Sequence, residues 1–253
     1  MNETADSALL DALNAESGIL CAVGAGGKKT TLYRLLTTHP GHVGMSATSF
    51  TYSFPDNLAA EVIVGSAEEL LKRVPASSAQ RIAYARPSDK KGRLAGLREE
   101  DIVAIHRNGR FDLTVLKADG ARMRRIKCPD SHEPQIPGAA RTVLLVLSIA
   151  AVGRPLDERV AHRPARVAEV TGLKPGETLV PAHLGVMFSH PQGLLKGTEG
   201  RTVIPVIHMV DGPGEEMAAR EAAAQALAGS ARFDRVVLTS AKRESYLVDV
   251  IRR

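Results

Sequence analysis

Apolar and polar residues alternate along the chain in blocks that predict strands and helices in turn. A continuous apolar run over residues 18–23 predicts a buried strand that ends in a cluster of glycines. After the glycines, Leu32, Leu35 and Leu36 fall on one face of a predicted helix, which a His-Pro-Gly sequence at residues 39–41 ends. A strand, a glycine loop and a helix in this order are typical of the start of a βαβ unit.

The same alternation continues along the chain and predicts a mostly parallel sheet with helices on both faces. We expect a loop at residues 122–138, which are basic and interrupted by prolines, and a mainly helical insertion at about residues 155–200, with one helix from Pro164 to Gly172. The predicted class is therefore a three-layer α/β fold in which residues 1–253 form one domain. The predicted strands are residues 42–47, 61–64, 81–85, 111–116, 141–149, 201–210 and 233–238, and the other predicted helices are residues 7–14, 97–106, 179–188, 213–228 and one beginning at Ser66.

The strongest local feature is the glycine loop between the first strand and the following helix. Glycines allow backbone N–H groups to converge on phosphate oxygens, the N-terminus of a helix adds partial positive charge, and a lysine reaches the outer phosphates. The loop therefore predicts a phosphate site of the P-loop NTPase kind, although its sequence departs from the usual G-x-x-x-x-G-K-[ST] motif. The candidate cofactor-binding residues of the loop are Gly24, Ala25, Gly26, Gly27, Lys28, Lys29, Thr30 and Thr31.

Two lysines compete for the role of the phosphate lysine. Lys28 follows Gly27 correctly, but Lys29 then stands where a Ser or Thr helps to hold Mg²⁺. If Lys29 takes the role, Thr30 is in place, but Lys28 replaces the glycine. We prefer Lys28, with Thr30 or Thr31 near the metal ion. The alternative is a glycine turn with two solvated lysines.

Asp119 follows the strand predicted at residues 111–116 and has the position of a Walker B carboxylate. Because the carboxyl ends of parallel strands meet at one edge of a sheet, Asp119 and the glycine loop are expected to lie together. Such a carboxylate can hold Mg²⁺ directly or through water. Lys28 and Asp119 are therefore the candidate catalytic residues, and Thr30 and Asp119 the candidate metal ligands. The alternative is a turn aspartate with no such role.

Two later strand ends have the pattern of the base-binding part of a GTPase site. Asp211 stands where such proteins carry Asn-Lys-x-Asp, and Ser240, Ala241 and Lys242 stand where they carry Ser-Ala-Lys. The Asp211 carboxylate can accept hydrogen bonds from guanine N1–H and N2–H, and the Ala241 N–H can donate to O6. His208-Met209 replace the Asn-Lys, so both ATP and GTP stay open, as does the alternative of two ordinary turns.

Charged residues in the loop at residues 122–138 supply further candidates. The basic ones stand close enough to Asp119 in sequence to neutralise phosphates or to contact an anionic partner, although such runs are usually solvated. A histidine and a glutamate can serve as a base, as a metal ligand or as an anchor for the loop, and we favour the anchor. The residues concerned are the basic Arg122, Arg124, Arg125 and Lys127 and the pair His132 and Glu133.

Composition narrows the range of partners. The 33 Lys and Arg residues exceed the 28 Asp and Glu residues, which favours anionic ligands such as nucleotides. Aromatic residues make up 4% of the chain and Trp is absent, so a nucleic-acid partner is not expected. The longest apolar run, residues 143–152, is half the length of a membrane span. The acidic residues 1–6 differ from a signal peptide, and we expect a cytoplasmic protein without a membrane partner.

Several motifs also occur in the order found in a known family. In these motifs the chain resembles the YqeC-type accessory proteins of selenium-dependent hydroxylases, from about residue 18 to about residue 240. The resemblance implies a P-loop NTPase-like fold and a link to the maturation of molybdenum-cofactor hydroxylases. Lys29 where Thr is usual, Lys117 where Glu commonly precedes Ala-Asp-Gly, and His208-Met209 where Asn-Lys is often seen depart from the family pattern. The motifs are Gly24-Ala25-Gly26-Gly27-Lys28, Ala118-Asp119-Gly120, residues 127–134, Gly153-Arg154-Pro155-Leu156 and His162-Arg163-Pro164.

Two hypotheses of function follow. The first is a maturation factor that binds ATP or GTP with Mg²⁺, hydrolyses it slowly, and uses the bound nucleotide to control contact with a molybdoenzyme or a molybdenum-cofactor maturation protein. The second is a carrier that holds a nucleotide or a molybdopterin-type pyrophosphate ligand without hydrolysis, which Lys29 and Lys117 favour. Whether the chain is an enzyme stays open at this point.

Overall fold

The computed structural model describes residues 3–253, in which nine strands form one central sheet. Met1 and Asn2, part of the acidic stretch considered above, lie outside the described residues. The helices are α1 (Glu3–Leu13), α2 (Lys28–Thr38), α3 (Ala67–Ala76), α4 (Glu99–Asn108), α5 (Pro164–Thr171), α6 (Pro181–Ser189) and α7 (Pro213–Gly229). The strands are β1 (Gly18–Gly24), β2 (Val43–Ala47), β3 (Thr51–Tyr52), β4 (Glu61–Val64), β5 (Arg81–Ala85), β6 (Arg93–Leu94), β7 (Leu113–Lys117), β8 (Ile126–Lys127), β9 (Thr142–Ser148), β10 (Ala161–His162), β11 (Thr202–His208), β12 (Arg235–Thr239) and β13 (Leu247–Arg252).

The sheet has the strand order β13-β12-β11-β9-β1-β7-β2-β5-β4. All neighbouring pairs are parallel except β12 and β13, which are antiparallel. The strand before the glycine loop, β1, therefore lies between β7, which leads to Asp119, and β9. This confirms the predicted α/β class with its mostly parallel sheet.

Alternating residues of β1 explain the three layers. Leu20 and Ala22 pack on one face of the sheet with the leucines of α1 and α2. Cys21 and Val23 point to the other face and join the core formed with α3, α4, α6 and α7. Because successive side chains of a strand point to opposite faces, a strand that is apolar at every position must be covered on both sides.

Several predicted boundaries are confirmed. Residues 61–64 and 81–85 are strands, and Ser66 caps α3 through a reciprocal pair of hydrogen bonds with Glu69. Pro164 is the first residue of α5, and Gly172 follows its end with φ 75°. The segment 155–200, expected to be mainly helical, is mostly loop: α5 and α6 account for 17 of its 46 residues, and the short strand β10 precedes α5.

Three short pairings lie outside the predictions. The loop expected at residues 122–138 contains β8, which pairs in parallel with β10. Thr51–Tyr52 and Arg93–Leu94 form a small antiparallel sheet, and β13 extends the main sheet beyond the last predicted strand. The β8–β10 and β3–β6 pairings join residues about 35 to 43 positions apart, so local periodicity did not reveal them, whereas β13 pairs with the strand directly before it. Across residues 3–253, every helix falls short of the length and apolar character that a bilayer crossing requires.

Candidate functional site

The glycine loop lies at the carboxyl end of β1, pressed against the neighbouring strands. Gly24 has φ 97°, and a Cβ there would lie 2.2 Å from the Val146 carbonyl oxygen on β9. Gly27 has φ 154°, and a Cβ there would lie 2.6 Å from the His208 ring on β11. Side chains are excluded at both positions by backbone conformation and by lack of space. These glycines therefore allow the loop to seat closely on the sheet and deliver Lys28 to the first turn of α2.

Lys28 and Asp119 meet below this loop, as the sequence predicts. The Lys28 Nζ lies 2.8 Å from the Asp119 Oδ1, and the side chains are 5% and 2% exposed. Lys28 also donates to the Gly24 carbonyl oxygen. The other carboxylate oxygen, Oδ2, accepts a hydrogen bond of 2.9 Å from the Gly24 N–H. Both carboxylate oxygens of Asp119 are thus held by residues of the glycine loop, Lys28 and Gly24.

The ion pair continues into a longer row of alternating charges. The Lys127 Nζ, whose side chain is fully buried, lies 3.0 Å from the Asp119 Oδ2 and 2.7 Å from the Glu133 Oε2. Glu133 in turn lies 2.6 Å from an Arg163 guanidinium nitrogen. We call these five residues, Lys28, Asp119, Lys127, Glu133 and Arg163, the charge ladder. It ties the glycine loop to the loop at residues 122–138 and to the start of α5.

Two of the candidate residues of that loop, Glu133 and Lys127, belong to the ladder. Glu133 accepts hydrogen bonds from Lys127 and Arg163, which are the contacts expected of a loop anchor, the role we favour over a base or a metal ligand. Lys127, expected among the contacts to phosphates or an anionic partner, is instead buried against Asp119, Glu133 and the Gly120 carbonyl oxygen. That expectation is wrong because strand β8 turns this lysine inward. His132 is exposed at the surface of the same loop.

The electrostatics of the ladder follow from burial and pairing. Burial alone would raise the pKa of Asp119, but the ammonium groups of Lys28 and Lys127 hold that pKa below its usual value. Burial lowers the pKa of Lys28, and the Asp119 carboxylate partly offsets this effect. Asp119 is therefore a charged carboxylate in the folded protein, held between two buried cations.

Whether Mg²⁺ fits here depends on the oxygen that faces Lys28. The Asp119 Oδ2 is held by the Gly24 N–H and by Lys127, whereas Oδ1 pairs with Lys28 alone. Oδ1 can serve as a metal ligand once Lys28 moves to another anion. The described residues contain no cluster of three His, Cys, Asp or Glu residues suited to a metal. A Mg²⁺ ion at Oδ1 would need its other ligands from a bound phosphate, from water and from Thr30, which is exposed nearby.

A cleft of about 800 Å³ opens above the glycine loop. Seven of the described residues that line this cleft are Lys or Arg, and none of them is Asp, Glu or His. We call it the basic cleft. Its volume lies in the range of nucleotide and cofactor sites. Its cationic residues are Lys28, Lys29, Lys90, Arg93, Lys117, Arg122 and Arg124.

The basic residues after Asp119 divide between the cleft and the backbone around it. Arg122 and Arg124 line the basic cleft, as expected of residues that neutralise an anion. Arg125 acts here through its backbone: its N–H donates to the Val160 carbonyl oxygen, and its own carbonyl accepts from the Ser148 N–H. Arg125 therefore supports the position of β8 beside the loop.

The threonines of the loop also separate. Thr30 is exposed and lines the basic cleft. Thr31 is fully buried, and its hydroxyl lies 2.9 Å from the Tyr246 hydroxyl and 3.2 Å from the Gly27 carbonyl oxygen. Of the two threonines considered near a metal ion, the structure thus brings Thr30 to the cleft and uses Thr31 in packing.

Asp211, Ser240 and Lys242, which the sequence predicts to bind a base, contact one another, but they are not among the described residues that line the basic cleft. Asp211 accepts a hydrogen bond of 2.7 Å from Ser240 and pairs with Lys242 at 2.9 Å. Ala241 is exposed between them. His208 is 2% exposed and donates to or accepts from Thr239 at 3.0 Å. Burial lowers the pKa of His208 to about 4, so it is a neutral core residue against Gly27.

Sequence reasoning missed the wall of the cleft opposite the glycine loop. Phe50 and Tyr52 are 46% and 38% exposed, and both line the basic cleft. The Lys90 Nζ lies 4.0 Å from the centre of the Phe50 ring, and the Arg93 guanidinium lies 3.5 Å from that of Tyr52. The sequence offered a weak hint, since two aromatic residues two positions apart follow the end of β2.

Two comparisons place the chain among known proteins. A family model described as "YqeC protein" matches residues 20–165, more than half of the chain. The curated "Uncharacterized protein YqeC" of Escherichia coli (strain K12) is 29% identical over 195 residues, which cover 75% of each chain. The matched segment runs from β1 to the start of α5 and so contains every residue of the charge ladder.

Proposed function

The chain belongs to the YqeC family, and from this premise we propose that it is a cytoplasmic nucleotide-binding accessory protein that takes ATP or GTP into the basic cleft. The observation that carries the proposal is the position of Lys28, at the helix start below a cleft whose described lining is cationic and free of carboxylates. A triphosphate is a compact polyanion and suits such a lining. Backbone N–H groups and the N-terminus of α2 add to its attraction.

Binding would exchange one partner of Lys28 for another. In the free protein Lys28 pairs with Asp119, and a phosphate in the cleft competes for the same ammonium group. When Lys28 turns to the phosphate, Asp119 keeps the Gly24 N–H and Lys127 as partners and presents its Oδ1. Asp119 and Thr30 would then hold Mg²⁺, which neutralises charge between the outer phosphates.

The same lining favours slow hydrolysis. Lys28 and an arginine such as Arg122 or Arg124 can stabilise charge on the transferred phosphoryl group. None of the described lining residues is an Asp, Glu or His that could orient a water molecule for attack. Catalysis would therefore be electrostatic, without a general base from the lining.

A second candidate is a carrier that holds a nucleotide or a molybdopterin-type pyrophosphate without hydrolysis. Lys29 favours it, because Lys29 stands where a Ser or Thr usually helps to hold Mg²⁺ and lines the cleft as a second ammonium group. An extra cation in that place suits the binding of an anion better than the binding of a metal ion.

Binding and turnover measurements on the full chain separate these functions. Titration calorimetry with ATP and GTP, each with and without Mg²⁺, should give binding that Lys28→Ala weakens at least about tenfold, the loss of one charge-assisted contact. The exposed Lys72→Ala on α3 is the matched control and should bind like the wild type. Phosphate release that Asp119→Asn abolishes supports the hydrolase, tight binding without release supports the carrier, and no binding of any triphosphate discards the proposal.

The partner is proposed from the family resemblance: a molybdoenzyme or a protein that loads its cofactor. A nucleotide-controlled factor should bind such a partner with different affinity when its cleft is filled. Sedimentation of the chain with an apo molybdenum hydroxylase, with and without nucleotide, measures this directly. Equal sedimentation in all mixtures would contradict the control of a partner by nucleotide.

A further inference from the structure

The basic cleft has two unlike ends. At one end lie the glycine loop and Lys28, which suit phosphate groups. At the other end lie Phe50 and Tyr52, whose exposed rings rise from the segment between β2 and β4. A ligand that carries phosphates and no ring would leave these rings exposed to water. Exposed aromatic rings inside a cleft offer a large apolar area that a planar ligand can cover.

Lys29 connects the two ends. It is the residue after Lys28, and its Nζ lies 5.8 Å from the centre of the Tyr52 ring and 5.3 Å from that of Tyr33. The lysine that departs from the family pattern in the loop therefore extends from the phosphate end toward the aromatic end. It keeps a positive charge over the face of an aromatic ring, which is a favourable arrangement.

Lys117 fixes the chain at the aromatic end of the cleft through two hydrogen bonds. Its Nζ donates to the Ser49 hydroxyl at 2.8 Å and to the Phe50 carbonyl oxygen at 2.7 Å. Lys117 is the last residue of β7 and stands two positions before Asp119. The strand that positions the Walker B carboxylate thus also positions Phe50. Lys117 therefore resembles Lys29: each departs from the family pattern, and each lies close to the segment that carries the aromatic residues.

Resting on the proposed function, we propose that the planar ring of the ligand stacks at the aromatic wall formed by Phe50 and Tyr52, while its phosphates lie at Lys28. The ligand class is a planar heterocycle that carries a di- or triphosphate. This assigns ring binding to the β3–β6 side of the cleft instead of to Asp211, Ser240, Ala241 and Lys242. Asp211 is already paired with two of these residues, through the Ser240 hydrogen bond and the Lys242 ion pair. Arg93 and Lys90, already over the two rings, can contact the ring of the ligand from the same wall.

The wall is tested by removing the rings and keeping the rest of the cleft. Calorimetry with MgATP, MgGTP and inorganic tripolyphosphate is carried out on the wild type, Tyr52→Leu, Phe50→Leu and Tyr52→Phe. The leucine variants should bind the nucleotides about 5- to 150-fold more weakly, the usual range for loss of one base–aromatic stack. Tyr52→Phe keeps the ring and should bind nucleotides like the wild type. Tripolyphosphate has no ring, so its affinity should be the same in all four proteins.

Asp211→Asn is the matched control for the alternative ring site. It should leave nucleotide affinity unchanged, because Asp211 lies outside the described lining of the cleft. Weaker nucleotide binding by Asp211→Asn together with unchanged binding by both leucine variants would overturn the aromatic wall and keep the proposed function. Equal wild-type affinity for nucleotides and tripolyphosphate would also overturn the wall alone. A wild-type protein that binds none of the three compounds would overturn the proposed function, and the wall with it.

Discussion

Lys28 and Asp119 form a buried ion pair of 2.8 Å at the place where the glycine loop meets the chain that follows β7. The pair satisfies two charges that would be costly to leave alone in a site nearly closed to water. It also means that Lys28 already has an anionic partner when a ligand arrives. On the proposed function, the affinity of the cleft for phosphate depends partly on how easily this pair opens.

We expect Asp119→Asn to strengthen the binding of triphosphate in the absence of Mg²⁺. The substitution removes the anion that competes for Lys28 and one negative charge near the ligand. The gain should be about tenfold, the size of one charge-assisted contact. In the same variant Mg²⁺ should no longer improve binding, because Asn is a weaker ligand for the ion than a carboxylate. Calorimetry with and without Mg²⁺ measures both effects.

The exposed Asp56→Asn is a suitable control, because it also removes one negative charge from the chain. An equal change in both variants would trace the effect to net charge and not to the ion pair. Unchanged Mg²⁺-free affinity in Asp119→Asn would show that the pair does not compete with the ligand.

We expect Lys127→Met to lower the free energy of unfolding by about 3–5 kcal/mol, the usual cost of removing one member of a buried ion pair. Lys127 is fully buried and bonds Asp119, Glu133 and the Gly120 carbonyl oxygen at once. Urea unfolding measures the change. Arg122 is exposed, so Arg122→Met should leave the free energy of unfolding within about 0.5 kcal/mol of the wild type. Similar losses in both variants would mean that Lys127 contributes no more than a surface cation.

The sequence predicts the features of the fold and of the site that depend on neighbouring residues. The glycine loop follows from an apolar strand and an amphipathic helix on either side, and the capping box of Ser66 and Glu69 follows from spacing alone. The meeting of Lys28 and Asp119 follows from a general property of parallel sheets, whose carboxyl ends share one edge. Each of these inferences needed only local pattern and the direction of the strands.

The fate of Lys127 could not be inferred in that way. In sequence it ends a run of solvated-looking cations, yet it is buried because Glu133 and Asp119 both face it and β10 pairs beside it. The aromatic wall was missed for a similar reason. Phe50 and Tyr52 enter the cleft through the pairing of β3 with β6, whose residues are about 40 positions apart. Tertiary contacts of this kind leave no period in the sequence.

We expect Gly24→Ala to destabilise the protein by at least about 2 kcal/mol, from the positive φ and the crowding of a new Cβ. At this position the Cβ would lie 2.2 Å from the Val146 carbonyl oxygen, so backbone must move. Gly120→Ala is the matched control, because it also lies beside the charge ladder but has no atom within 4 Å of a new Cβ. Thermal or urea unfolding compares the two. Equal stability of both variants would contradict the close seating of the loop on β9.

We expect Lys117 to make ligand binding in the basic cleft depend on pH. Burial, and then the charge of Lys28, lower the pKa of Lys117 to about 7. Below that pH its ammonium attracts a phosphate ligand, and above it the neutral amine does not. The ratio of wild-type to Lys117→Met affinity for ATP should therefore fall by about tenfold between pH 6 and pH 9, the worth of one charged contact. Taking the ratio cancels the titration of the ligand itself.

Stability should change in the opposite direction over the alkaline range. The unfolded chain keeps the ordinary lysine pKa of about 10.4, so between about pH 7 and that value it binds a proton that the folded protein lacks. The free energy of unfolding of the wild type, relative to Lys117→Met, should therefore rise as the pH increases through this window. Urea unfolding at pH 6.5, 8 and 9.5 measures the difference. A flat difference across these pH values, or an affinity ratio that does not change with pH, would mean that Lys117 keeps its proton and its charge throughout.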